Sequence, residues 1–247
     1  MIKAYDDRRD MVVPGDHQET LSFCVNHFIS AANESIDDDG FFSVALSGGS
    51  TPKAIFEGLA LEKNRSQVDW SRVLVFWSDE RCVPPEDPDS NYRMAMESGF
   101  VHLPIPLENI HRMKAEEDPE EYAKHYEKLI DEKLSSKPFD LIMLGMGNDG
   151  HTASLFPKTH GLHSSGRQVI ANYVPQMDTW RMTMTYDCIN SAKRTAIYVL
   201  GKGKAETVKN VLESDYNPDL YPIQTSRQYD SLNFWADSTG HTIADLC

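Results

Sequence analysis

The chain has 247 residues, 40% of them hydrophobic and 25% charged, a composition that excludes a disordered or collagen-like protein. Lys and Arg number 24 against 38 Asp and Glu, a net charge of −14. That excludes a general nucleic-acid binder, whose phosphate contacts need a basic face, but leaves room for a small anion in one locally positive pocket. No window comes near the ~18 uninterrupted apolar residues of a membrane span. The start of the chain has no apolar secretory core. Cys24, Cys82, Cys188 and Cys247 are too scattered for a zinc knuckle or a disulfide frame. The reading is a reduced, cytoplasmic protein.

Predicted elements alternate along the chain. Leu21, Val25, Phe28 and Ala32 recur at helical spacing and predict a helix over 17–35. A strand over 41–46 leads into Ser47-Gly-Gly-Ser-Thr51, and Pro52 is expected to open the next helix, with Ile55 and Leu59 toward its core. The apolar run 72–77 predicts a second strand, ending in Ser78-Asp-Glu-Arg81. Ser90 reads as the N-cap of a short helix to Met96. Asp118 and Pro119 start a longer helix striped by Tyr122, Tyr126, Leu129 and Ile130. A third strand, 139–144, runs into a glycine-rich loop that ends at His151. Runs 169–174 and 182–186 predict two more strands, the second in an antiparallel or crossing pair because its alternation is half polar. The run 195–200 predicts a buried strand, Gly201-Lys-Gly-Lys204 opens a helix to about Leu212, and 232–236 closes the chain with a strand. Alternation of this kind predicts an α/β fold, and the loop 84–90 is too short to mark a domain boundary.

Several loops follow the carboxyl end of an apolar strand, where open parallel sheets bind ligands. Ser47-Gly-Gly-Ser-Thr-Pro52 joins small residues to a helix start, a pattern suited either to a phosphate or to an ordinary tight turn with a Thr51 cap. Asp79, Glu80 and Arg81 offer acid–base chemistry or oxyanion recognition, or else form a solvated turn. In Gly145-Met-Gly-Asn-Asp-Gly-His151 three glycines frame Asp149 and His151, which are close enough in sequence to act together. Imidazole is the side chain best suited to move a proton near neutral pH. Arg181, Lys202 and Lys204 supply cations, and a lysine at a helix start favours a bound anion. His151, His160 and His163 fit no standard zinc spacing, so no metal is expected.

These segments resemble a known family. Ser47-Gly-Gly-Ser-Thr-Pro52, Ser78-Asp-Glu-Arg81 and Gly145-Met-Gly-Asn-Asp-Gly-His-Thr-Ala-Ser-Leu-Phe-Pro157 are similar to signature segments of the 6-phosphogluconolactonases, and Arg181-Met-Thr-Met-Thr185 and Gly201-Lys-Gly-Lys204 to two more. They come in the family's order over about residues 41–213. The resemblance implies one α/β/α domain over 1–247 with a mostly parallel Rossmann-like sheet. It also implies hydrolysis of a phosphosugar lactone without a cofactor. His151 and Asp149 would be catalytic. Ser47, Gly48, Gly49, Ser50, Thr51, Asp79, Arg81, Gly147, Arg181 and Lys204 would bind substrate and its phosphate. Expected partners are the small-molecule lactone, no nucleic acid and no membrane, in a monomer or weak homo-oligomer. The glucosamine-6-phosphate deaminases of the same superfamily carry an acid five positions after the loop histidine, where this chain has Phe156. A non-catalytic phosphosugar sensor is the third reading. Lys158 stands where the lactonase pattern leads one to expect glycine, and Asn148 fills a variable position.

Overall fold

The computed structural model describes residues 2–6, 9–226 and 234–237. In chain order they form β1 (Ile2–Asp6), β2 (Arg9–Val12), α1 (His17–Asp39), β3 (Phe42–Leu46), α2 (Ser50–Ala60), α3 (Glu62–Arg65), β4 (Val73–Trp77), β5 (Asp79–Arg81), α4 (Asn91–Glu97), α5 (Pro119–Leu134) and β6 (Leu141–Leu144). Then follow β7 (Val169–Val174), β8 (Thr179–Met184), α6 (Tyr186–Ser191), β9 (Thr195–Val199), α7 (Ala205–Glu213) and β10 (Phe234–Asp237).

The main sheet has the order β1-β2-β10-β9-β6-β3-β4. All neighbours run parallel except β1, which pairs antiparallel with β2. Every residue of β3, β6 and β9 is buried, which is why they read as unbroken apolar runs: helices cover both faces of a parallel sheet. The step from β3 to β4 and the return from β4 to β6 run in opposite directions, so right-handed crossovers put α2 and α5 on opposite faces. On one face Phe28 of α1 meets Phe42 edge-on at 5.4 Å and stacks near Trp70. On the other, Phe76 meets Phe139 at 5.1 Å and Tyr126 of α5 at 6.1 Å. Truncating a ring such as Phe28 or Phe76 to alanine would cost about 3–5 kcal/mol.

The helix starts and ends follow local chemistry. Asp16 and Glu19 cap α1 reciprocally, and Gly40 ends it beyond the expected residue 35. Ser90 and Asp118 cap α4 and α5 as expected. Ile55 and Leu59 are fully buried. Three expectations need correction. Pro52 does not open α2: the helix begins at Ser50 with Gly49, not Thr51, as its cap. Segment 79–81 is not a turn but strand β5, which joins β8 and β7 in a second, antiparallel sheet, β5-β8-β7. The strand expected over 182–186 starts earlier, at Thr179, and Tyr186 already belongs to α6. Strands β1 and β2 had no sequence signal. Of the closing strand expected over 232–236, residues 232 and 233 lie outside the described residues, as does Cys247.

Candidate active site

The chain passes from β3 to β4 on one side and then returns to β6 on the other. At such a switch point the loops at the carboxyl ends diverge and leave a crevice. A cavity of about 250 Å³ lies there. Its walls are 47–52 after β3, Asp79, Arg81 and Asn91 beyond β4, 145–147 with His151 and Ala153 after β6, and 198–200 with Lys204 at the end of β9.

The first wall is the start of α2. Gly49 caps it at a φ of 104° that a side chain would resist, and no side chain caps the helix. The first-turn amides of Ser50 and Thr51 are thus left for a ligand, and both residues line the cavity. Uncapped amides together with the helix dipole favour an anion.

The second wall is β5, whose three charged side chains have different tasks. Glu80 turns away from the cavity. Its carboxylate accepts from the amides of Asn91 at 2.7 Å and Tyr92 at 2.8 Å, and from Ser90 Oγ at 3.2 Å. It thereby anchors the start of α4. Burial raises its pKa above the ordinary range, and these amide bonds oppose the rise. Asp79 is buried but lines the cavity; its Oδ2 accepts from Ser154 Oγ at 2.7 Å. Arg81 lines the cavity and donates to the Asp89 carbonyl at 2.6 Å. Arg181 stands opposite Arg81 in the β5–β8 register and is not among the residues lining the cavity. Burial first, and the charge of Arg81 second, lower its pKa.

The third wall is the loop after β6. It folds back on itself, with Gly147 N–H donating to the His151 carbonyl at 2.9 Å. Thr207 Oγ1 holds the Asn148 carbonyl, and Ile223 N–H the Gly150 carbonyl, each at 3.0 Å. The fold leaves no space at Gly147: a Cβ there would lie 2.1 Å from His151 Nδ1. Asp149 Oδ1 sits 2.6 Å from that nitrogen. An ionised carboxylate only accepts, so Nδ1 carries the proton and Nε2 of a neutral ring keeps its lone pair. Burial is the largest single influence on Asp149 and would raise its pKa. The bond to and charge of His151 outweigh it, and the carboxyl ends below its ordinary range. The arrangement is that of a general base oriented by an acid.

Lys204 completes the ring of walls at the start of α7. Burial lowers its pKa, and the nearby Asp149 charge acts the other way. Every residue that the resemblance assigns to the site lines the cavity except Asp149, which stands behind His151, and Arg181, which stands beside Arg81; Glu80 and Lys202, also weighed from the sequence, do not line it. Sequence reasoning gave no role to Asn91 or Ser154, and weighed Phe156 only as the place of an absent acid. The last two lie in the tail of the long glycine-led segment, and that was their signal. Among the described residues no group of three His, Cys, Asp or Glu side chains is placed to hold a metal ion. No described helix is long and apolar enough to cross a membrane.

A family model described as glucosamine-6-phosphate isomerases/6-phosphogluconolactonase matches residues 15–235. The chain belongs to this family. A 6-phosphogluconolactonase of Chlamydia pneumoniae is 37% identical over 244 residues, 98% of this chain and 93% of that one. The solved 6-phosphogluconolactonase of Thermotoga maritima is 26% identical, with a TM-score of 0.78 over 92% of this chain and 99% of that chain. That of Trypanosoma cruzi is 25% identical, with a TM-score of 0.82 over 96% and 97%. Within the isomerase/lactonase family, position 156 is where the resemblance places an acid in the deaminases. Here Phe156 lies against the His151 ring, with centroids 4.0 Å apart.

Proposed function

We propose that this chain hydrolyses 6-phospho-D-glucono-1,5-lactone to 6-phospho-D-gluconate, the second step of the oxidative pentose phosphate pathway. The observation that carries the reading is the Asp149–His151 pair, 2.6 Å apart, at a cavity that an uncapped helix start also lines. The 6-phosphate is held by the amides of 47–51 together with Arg81, Arg181 and Lys204. His151 Nε2 takes a proton from a water as its oxygen adds to C1. The tetrahedral centre then collapses, the bond from C1 to the ring oxygen breaks, and His151 returns the proton to that oxygen as it becomes a hydroxyl. The new carboxyl group loses its own proton to solvent. Asp149 keeps the ring in the required tautomer and stabilises the imidazolium.

The site draws on residues from Ser47 to Lys204, which supports one domain over 1–247. The net charge of −14 supports a small-molecule substrate and no nucleic acid. A cytoplasmic location and a monomer or weak homo-oligomer belong to the same reading. A deaminase has less support, because Phe156 supplies no acid for ring opening or proton transfer beside a carbonyl.

The test is direct. The purified protein should release acid from the lactone faster than the spontaneous rate and no ammonia from glucosamine 6-phosphate. The reverse result would replace lactonase with deaminase, and binding without turnover would leave a sensor. His151→Ala should lower kcat by about 10²–10⁴-fold with KM little changed. A raised KM at normal kcat would make His151 a binding residue and turn the search for the base to Asp79.

A further inference from the structure

We propose that Phe156 is a positioning residue for His151, acting through the face of the imidazole while Asp149 acts through its edge; this rests on the lactonase reading above. The two rings lie 4.0 Å apart between centroids and 26° from parallel. Phe156 is 8% exposed and His151 is half-buried, so the phenyl ring is a fixed surface and the imidazole the group that leans on it.

A single hydrogen bond leaves a ring one freedom. With Nδ1 tied to Asp149 Oδ1, the imidazole can still tilt about that contact, and Nε2 at the far side of the ring sweeps the largest arc. A flat apolar surface against one face removes the tilt. Catalysis by a general base needs this, since displacement of a reacting atom by about 1 Å can cost 10²-fold in rate. The phenyl ring also keeps solvent from that face. Its π-cloud favours the imidazolium that forms when the water is deprotonated.

The backbone between the two rings is built to bring them together. Phe156 follows His151 by a tight turn in which Leu155 N–H donates to the Thr152 carbonyl at 2.9 Å. Ala153 in this turn adopts a φ of 46°, a left-handed conformation that is strained for a residue with a side chain. Three side-chain bonds hold the turn in place. Thr152 Oγ1 donates to the Gly145 carbonyl at 2.9 Å, Ser154 N–H to Thr183 Oγ1 at 3.1 Å, and Ser154 Oγ to Asp79 at 2.7 Å. A strained turn fastened at three points delivers one aromatic ring onto the base.

The test compares wild type, Phe156→Leu, which keeps apolar volume but loses the flat face, and Phe156→Tyr, which keeps the face. Each is assayed for lactone hydrolysis over a substrate range, and the His151 ring protons are followed by NMR. Wild-type hydrolysis tests the lactonase reading by itself; its absence would sink that reading whatever the variants do. Given wild-type activity, Phe156→Leu should lose roughly 10–100-fold in kcat with KM within about twofold. Its His151 ring protons should move downfield as the ring current is lost. Phe156→Tyr should keep both the upfield signals and most of kcat. Unchanged kcat in Phe156→Leu, or a rise in KM alone, would overturn the proposal. If Phe156→Leu unfolds, Phe156→Tyr still decides: upfield His151 signals with a kcat as low as that of His151→Ala would separate stacking from catalysis and overturn it.

Discussion

Arg81 and Arg181 face each other directly on the antiparallel strands β5 and β8. Like charges in such a pair work against the sheet. Both burial and the Arg81 charge disfavour the charged form of Arg181. A phosphate beside the two would reverse the sign of this interaction. Arg181→Met should therefore leave the empty protein at least as stable, while weakening 6-phosphogluconate binding by about 1.5–3 kcal/mol, roughly 10–100-fold. Thermal unfolding and calorimetric titration give the two numbers. Unchanged affinity would put Arg181 outside the phosphate site.

Glu80 is expected to matter for the fold and not for proton transfer. Its carboxylate satisfies the amides of Asn91 and Tyr92 and the hydroxyl of Ser90, with Glu80, Ser90 and Asn91 buried and Tyr92 partly so. Glu80→Ala leaves those donors without an acceptor and should cost about 3 kcal/mol or more of stability, read from urea unfolding. A loss under about 1 kcal/mol would mean that the start of α4 stands without it.

Asp149 makes stability depend on pH with a defined sign. Its folded pKa lies below the ordinary value because the bond and charge of His151 outweigh burial. A depressed carboxyl stabilises the fold above the unfolded pKa, about 3.9. That contribution is lost as pH falls through the lower, folded value. Asp149→Asn should melt below wild type at pH 5–7, and the two melting curves should converge as pH drops below about 4. A gap that widens on acidification would contradict the assigned pair.

Lys158 holds a left-handed backbone conformation, with φ of 61°. That geometry explains why a glycine was expected at this position. Lys158→Gly should relieve about 1 kcal/mol of strain, partly offset by glycine's greater freedom when unfolded. A rise in the urea midpoint with unchanged kinetics is the expected outcome. A fall would show that the lysine side chain stabilises the loop in another way.

Much of the site was legible because its glycines, hydroxyls and His151 follow apolar runs, and in parallel sheets such runs end at the ligand edge. The loops 47–51 and 145–151 needed no tertiary information. Strand β5 did. Asp79-Glu80-Arg81 has no strand pattern, and it is extended only because β8 pairs with it. For the same reason the sequence named Arg181 as a cation for the phosphate but not its place opposite Arg81. Pro52 misled because proline fits the third helical position as well as the first, where its missing N–H removes one of the donors left uncapped. Ser154 was only part of a quoted segment, and Phe156 counted as an absent acid; the turn at Ala153 folds them back onto Asp79 and His151.

The crevice at the switch point is assembled from the ends of strands far apart in the chain, with Ser50 and His151 separated by about a hundred residues. No short contiguous fragment contains it, and no early hairpin or local helix can form it. Pairings of such long sequence separation close late, after most loop-closure entropy has been lost. During refolding, turnover should therefore return last, after helix content and after burial of Trp70 and Trp77. Limited proteolysis anywhere between β3 and α7 should abolish catalysis even where the cut lies far from the cavity.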